Sequence, residues 1–350
     1  MNATTAAMRP SLAGDAGPGR GPGIVVAAVA VVGVALLTVG ILWALSIGSE
    51  QISWSSVVHS WFSADSPADQ IVRTIRLPRV LLAALVGANL AVSGAVMQAI
   101  TANPIASPDI MGVNSGAAMV VVAAITIVPT MAGAPSILLA FGGAAAAGIT
   151  VMVLAGMGTG KVSPVRLALA GVTASTLLVS LTQVLVIFHE NDTQSVLFWL
   201  VGGVNFAQWH DIGTVLPWTA AGLLVALALA KSLNILALGE DMARGLGQHV
   251  ERTRAFGAAV VIVLCGASVA VAGPIAFIGL IAPHITRKLV GSNYLRVLPV
   301  SMLVGAVLTV YADIGSRYVN PPFEVPTGVV TALVGAPIFI YLARRQKVTR

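Results

Sequence analysis

An all-α polytopic membrane protein with about ten crossings is the fold class this sequence predicts, on three observations. Hydrophobic residues make up 57% of the 350 residues and charged residues only 9%. The apolar residues gather into about ten long runs, and a bilayer core needs roughly 20 apolar residues per helical crossing. With the chain threaded that way, the positive charges between the runs fall almost entirely on one side.

The elements follow in order. Met1–Gly23 is rich in Gly, Pro, Ala and Ser. It has no hydrophobic period, cannot bury enough surface to offset its ordering entropy, and reads as a disordered cytoplasmic tail. Ile24–Ser46 is too long for a signal-peptide core of about 7–15 residues, although Ala44-Leu45-Ser46 imitates a cleavage site. It is expected to be retained as the first crossing and to open a membrane domain over 24–345. The second crossing, Leu77–Ala99, carries Ala84, Gly87, Ala88, Ala91, Gly94 and Ala95 at helical spacing, which lets helix backbones approach closely in lipid. Asn103-Pro104-Ile105-Ala106-Ser107-Pro108-Asp109 then breaks the pattern, because neither proline can continue a regular helix. From spacing alone this reversal suits an ordinary connector and a functional break equally.

The third to sixth crossings are placed at Ile110–Val128, Pro135–Met157, Val165–Phe188 and Ile212–Leu233, the fourth with a small-residue face of Gly142, Gly143, Ala146 and Ala147. A second polar break, within 236–249, runs from Leu236 to Gly247. Glu240 and Arg244 are spaced to pair across one helical turn, Glu240 and Asp241 sit where a helix dipole favours negative charge, and Gly239 and Gly247 bracket the segment. The spacing predicts a short helix lying on the cytoplasmic face. Arg254–Ala272, Pro274–Leu289, Val297–Arg317 and Pro326–Arg344 complete the set, with a short cytoplasmic tail over 346–350.

Ten crossings put both termini on one side. With the termini inside, Arg9, Arg20, Lys161, Arg166, Lys231, Arg244, Arg252, Arg254, Arg287, Lys288, Arg296, Arg344, Arg345, Lys347 and Arg350 lie inside, 15 of the 19 basic residues. Only Arg73, Arg76, Arg79 and Arg317 lie outside. Positive residues favour the cytoplasmic side, so both termini are expected there, in a plasma or inner membrane. Trp43, Trp54, Trp61, Trp199, Trp209 and Trp218 all map to outer ends of crossings, as an interfacial aromatic belt would.

Several function classes are disfavoured. Cys265 is the single cysteine, which excludes an intrachain disulfide and a cysteine metal cluster. The net charge of +6 is explained by orientation and needs no nucleic acid. Only Asp313 and His284 approach membrane depth, each readable as a satisfied polar group near a helix end. An ion-coupled carrier would be expected to bury more ionisable groups. No paired Asp, or Ser with a nearby His, suggests an intramembrane enzyme. His189-Glu190-Asn191-Asp192 reads as a solvated loop, and neither a metal site nor a cofactor is expected.

Four blocks carry a family resemblance. They are Arg76-Leu77-Pro78-Arg79 continued through Gly87-Ala88, Ser93-Gly94-Ala95-Val96-Met97-Gln98, Asn103-Pro104-Ile105-Ala106 and Pro108-Asp109-Ile110-Met111-Gly112; Leu238-Gly239-Glu240 with Ala243-Arg244 and Leu246-Gly247; Gly273 to His284; and Pro326-Thr327-Gly328-Val329-Val330-Thr331 with Gly335-Ala336-Pro337. In this order, over about Ile24 to Arg345, the chain resembles the FecCD permease subunits of iron-siderophore, haem and cobalamin ABC importers. The resemblance implies a cobalamin-permease-like type II importer fold and a dimer with an identical or paralogous permease. It also implies two cytoplasmic ATP-binding subunits that hydrolyse ATP, so this chain would not itself be an enzyme. It makes Glu240, Asp241, Ala243, Arg244, Leu246 and Gly247 the contact that couples to the ATPase. It makes Arg76, Arg79 and Arg317 the residues on which an extracytoplasmic substrate-binding protein docks its acidic residues; from the residues alone they read equally as interfacial anchors or as local partners of Asp313 and Glu324. Arginine suits that task because it stays charged and can hold a carboxylate with two hydrogen bonds. Gly245 departs from the bulkier or polar residue usual there. The cargo implied first is a ferric siderophore, with haem or cobalamin as the alternative and an ion-coupled secondary carrier further off.

Overall fold

The computed structural model describes residues 22–48, 52–60, 62, 66–109, 111–128, 134–156, 164–188, 199–319 and 323–346. Of the expected tails, Pro22, Gly23 and Gln346 are described as helical, and the remainder lies outside these residues. Trp61 and the segment from His189 to Asp192 lie outside them too.

The secondary structure is almost wholly helical. Helix α1 (Pro22–Ser46) leads through the short helix α2 (Trp54–His59) to α3 (Pro67–Ile71). Ser66 caps α3, its side chain accepting from Asp69 N while the Asp69 carboxylate accepts from Ser66 N, a reciprocal capping box. The helix then runs on through a π-helical turn, Val72–Arg76, into α4 (Leu77–Ile100), so that one 34-residue helix spans Pro67–Ile100. The second crossing thus begins ten residues before its expected start, Leu77. The π turn falls where Pro78 withholds the amide that Thr74 would otherwise bond, and Leu77 N reaches back to Val72 O instead.

After the break at 101–112 come α5 (Val113–Ile127), α6 (Ala134–Gly156) and α7 (Pro164–Ile187). Helix α8 (Trp209–Leu236) leads to the short α9 (Glu240–Gly245) and then to α10 (Val250–Ala272). Helices α11 (Ile278–Val290), α12 (Tyr294–Ser316) and α13 (Thr327–Gln346) finish the chain. Ten of these helices match the ten expected crossings in order.

Among the described residues, seven helices are long and apolar enough to cross a bilayer. The eighth expected crossing is corrected: Gly273 to Phe277 is non-helical and α11 has only 13 residues, about 20 Å at 1.5 Å per residue against a core of roughly 30 Å. Positive φ at Gly273 (64°) and at Phe277 (69°) turns the chain before α11 can start. The third crossing is shortened in the same way by Gly112, at φ 74°.

Burial ranks the helices. In the most apolar window of each helix, 83% is buried for the one ending in α4 and 6% for α1; α4 is the axis of the bundle and α1 a peripheral helix with a broad exposed apolar face. The small residues of α4 act as their spacing predicts. A Cβ on Gly87 would overlap the Gly305 carbonyl of α12, and one on Gly94 the backbone of Gly279 in α11. In α6 the expected face divides: Gly143 lies against Gly116 of α5, whereas Gly142 meets nothing. Trp218 departs from the expected belt. Nine residues into α8, about 14 Å along its axis, it packs edge-on against Phe141 at 4.8 Å.

Candidate functional site

Two charged clusters lie at opposite ends of the bundle. At the first, the start of α4, the end of α12 and the end of α1 converge. Asp313 and Arg317 are one turn apart on α12, and Arg76 and Arg79 share a face of the helix leading into α4. Asp313 is the hub. Arg79 donates from Nε to both its oxygens (3.0 and 3.1 Å) and from Nη2 to Oδ1 (2.8 Å). Arg317 donates from Nη2 to Oδ2 (2.6 Å), and Thr327 Oγ1 to Oδ1 (3.1 Å). Arg79 Nη1 meets Glu324 Oε2 at 2.5 Å, and Asn205 Nδ2 donates to the same oxygen at 3.2 Å.

The remaining donors close the end of α1. Arg76 Nη1 bonds Leu45 O (2.8 Å), and Arg317 Nη1 bonds Ala44 O (2.7 Å) and Ile47 O (2.6 Å), satisfying carbonyls that a helix C-terminus leaves without partners. Arg76, Arg79 and Arg317 are only 5%, 5% and 7% exposed. The three expected docking residues are therefore brought together but turned inward, onto carboxylates and carbonyls of the chain itself. Trp43 packs beside the cluster, edge-on to Tyr311 and tilted against Tyr318.

At the opposite end, α9 forms where the spacing places it. Gly239 (φ 106°) and Gly247 (φ 79°) adopt backbone angles that only glycine takes easily. The predicted pair is present, Glu240 Oε1 to Arg244 Nη2 at 2.7 Å, and Glu240 Oε2 also binds Arg254 Nη2 at 2.8 Å. Arg254 in turn donates from Nε to Ile100 O, the last residue of α4, at 3.3 Å. The hydrogen bond and charge of Arg254, with help from Arg244, hold the Glu240 carboxyl below its ordinary value. Gln248 Nε2 ties the segment to Ser232 O of α8 and to Thr253 Oγ1 of α10, each at 2.9 Å.

Ala243 is fully buried against Leu236 and Val250, so of the six expected coupling residues it faces the bundle. Asp241, Arg244, Leu246 and Gly247 are exposed, and Glu240 is half-buried. Leu238, Met242 and Leu246 are 61%, 58% and 62% exposed. This stripe, one residue in four, was legible in the sequence, yet Leu238 and Met242 are not among the expected coupling residues.

A third polar centre, built on the aspartate that closes the break after the second crossing, lies between the ends. Asp109 accepts from Ser107 Oγ (3.1 Å) and Phe277 N (3.0 Å) at Oδ2, and from Asn114 Nδ2 at Oδ1. The neighbouring Pro108 rests against Gly279, itself in contact with Gly94. Gly94 is six residues, about 9 Å, short of the end of α4. The carboxylate therefore sits within the apolar depth, at the N-terminus of α11, where the helix dipole and free N–H groups favour it. An acid next to a proline inside an apolar run was the signal. His284 Nε2 is buried with no hydrogen-bond partner among the described residues, and no cluster of metal-binding side chains occurs among them.

Comparison with known proteins agrees with this architecture. The family model described as the FecCD transport family matches residues 36–345. The Fe(3+)-citrate import system permease protein YfmD of Bacillus subtilis (strain 168) is 45% identical over 304 residues, 87% of this chain and 90% of its own. The cobalamin import system permease protein BtuC of Halobacterium salinarum is 42% identical over 293 residues, 82% of this chain and 77% of its own. A metal-chelate type ABC transporter solved in an inward-facing conformation superposes with a TM-score of 0.74 at 31% identity, covering 93% of this chain and 99% of that one. With ten helices in matching order and a family model spanning nearly all of them, the chain belongs to the FecCD transport family and is a multi-pass membrane permease.

Proposed function

We propose that this chain is the permease subunit of an ATP-driven importer of a ferric siderophore. The observation that carries the reading is α9: a short helix pinned by Glu240, Arg244, Arg254 and Gln248 that leaves Leu238, Met242 and Leu246 in solvent. An apolar stripe on a rigid element is a surface prepared for a protein partner, and the partner proposed is a cytoplasmic ATP-binding subunit. Movement of α9 would reach α4 through Arg254 and Ile100 O.

The remaining parts follow. Both termini and α9 face the cytoplasm, as the distribution of Lys and Arg favours. The arginine end faces outward and receives the acidic residues of a substrate-binding protein, with Arg76, Arg79 and Arg317 supplying its positive charge. A second permease, identical or paralogous, completes the translocation path. The ferric cargo is favoured by relatives named for ferric citrate and, in Bacillus subtilis, for iron(3+)-hydroxamate import. Cobalamin is the second reading, favoured by the Halobacterium relative.

The test is uptake of radio-iron siderophores and labelled cobalamin by iron-starved cells that lack this gene and redundant systems. Complementation uses the native chain, Glu240→Arg, and a triple variant carrying Leu238→Ser, Met242→Ser and Leu246→Ser. Loss of one ferric chelate, restored only by the native chain at matched expression, is the expected result. Normal uptake of every chelate in the deletion contradicts the proposal.

A further inference from the structure

Glu324 differs from the other charged members of the arginine-end network in being open to water. Its side chain is 28% exposed, against 6% for Arg79, 1% for Asp313 and 3% for Arg317. Arg79 is divided between the two carboxylates. Its Nε and Nη2 edge is committed to buried Asp313, while its Nη1 corner points to Glu324 at the surface. A docking acid could not reach Asp313's edge without dismantling the network, but it could take the Nη1 corner.

We propose that Glu324 is an exchangeable carboxylate, holding the Nη1 corner of Arg79 until an acidic side chain of the docking protein replaces it. Exchange avoids the cost of leaving a buried guanidinium without a partner, which is the larger penalty when an ion pair is broken. It also explains how arginines that are 5% exposed serve a partner at all.

Release of Glu324 frees Asn205 as well, since both bonds end on Oε2. Asn205 belongs to the segment where Gly203 N bonds Ala272 O at the end of α10, and Gly202 O accepts from Gly328 N in the first turn of α13. Docking would in this way reach two helices of the bundle. The inference rests on the proposed docking of a binding protein at this end.

The experiment measures the affinity of the cognate substrate-binding protein for the full permease–ATPase complex in lipid nanodiscs. Native chain, Glu324→Gln, Arg79→Lys and the double variant are compared. Glu324→Gln keeps shape and removes the competing charge. Arg79→Lys keeps a cation on Asp313 and deletes the Nη1 corner. The expected result is about five-fold tighter docking for Glu324→Gln, roughly 1 kcal/mol at 1.4 kcal/mol per decade, weaker docking for Arg79→Lys, and no gain from Glu324→Gln in the Arg79→Lys background. If Arg79→Lys weakens docking but Glu324→Gln leaves it unchanged or weaker, Glu324 is a structural brace and the exchange is overturned while docking stands. If Arg79→Lys docks like the native chain, the docking role of Arg79 falls and the exchange falls with it.

Discussion

Asp313 anchors two guanidinium groups while itself almost fully buried, so its substitution should be among the costliest in the chain. Removing one partner of a buried ion pair costs about 3–5 kcal/mol. Asp313→Leu, which removes the carboxylate shared by Arg79 and Arg317, is expected to abolish a folded peak in fluorescence-detected size exclusion, whereas Glu324→Gln leaves the peak in place. Glu240 belongs to the opposite regime, an exposed pair worth roughly 0.2–1 kcal/mol. Arg254 and Arg244 depress its folded pKa below the ordinary 4.5. Its contribution is therefore complete above that value and is lost only as pH falls through the lower folded value. Hydrogen exchange of 238–250, corrected for intrinsic rates, should stay flat from pH 8 to pH 6 and rise in Glu240→Gln throughout. A protection loss in the native chain within that window contradicts the assignment. Local charge pairing was legible here because Glu240 and Arg244 are four residues apart. Arg79 and Asp313 are 234 residues apart, so the sequence could offer Asp313 and Glu324 as partners for the arginines but could not decide between that pairing and an outward-facing role.

At the scale of elements, the small-residue face of α4 and the two broken helices carry the expectations. Gly94 lies against the Gly279 backbone, which cannot yield as a flexible side chain could. Gly94→Leu is expected to push α11 from α4 and cost more than the 1–3 kcal/mol typical of overpacking, while Gly142→Ala, with nothing near it, should melt like the native chain in a thermal-shift assay. Helix α11 starts from Phe277 in a left-handed conformation, whose amide is held by Asp109. If Asp109 holds that backbone, Phe277→Gly, which adopts the angle freely, should shrink the effect of Asp109→Ala. In a double-mutant cycle on thermal stability the coupling is expected at 0.5 kcal/mol or above; strict additivity would count against it. The number and order of crossings were legible because apolar run length reports membrane depth directly. The shortening of α5 and α11 was not, because it depends on positive φ at Gly112, Gly273 and Phe277, and hydropathy does not sense backbone angles. The early start of the second crossing was hidden for another reason: Arg73 and Arg76 read as loop charges until the carbonyls of Ser60, after α2, and of Leu45, in α1, supply their partners.

The whole molecule is a bundle built on α4, closed at one end by an arginine–carboxylate network and presenting at the other a pinned helix with an exposed apolar stripe. Asp109 joins the two short helices between them. The described segments bury few charges at membrane depth and answer most of those with partners in the chain, which suits a permease driven by a separate ATPase better than one driven by an ion gradient. The most direct measurement is radio-iron siderophore uptake into proteoliposomes containing this permease, its partner permease and the ATPase, with binding protein outside and nucleotide inside. Uptake is expected to require ATP hydrolysis, to persist when proton and sodium gradients are collapsed, and to be lost in the triple Leu238→Ser, Met242→Ser, Leu246→Ser variant. Uptake that continues without ATP and disappears with the ion gradient would contradict the proposal.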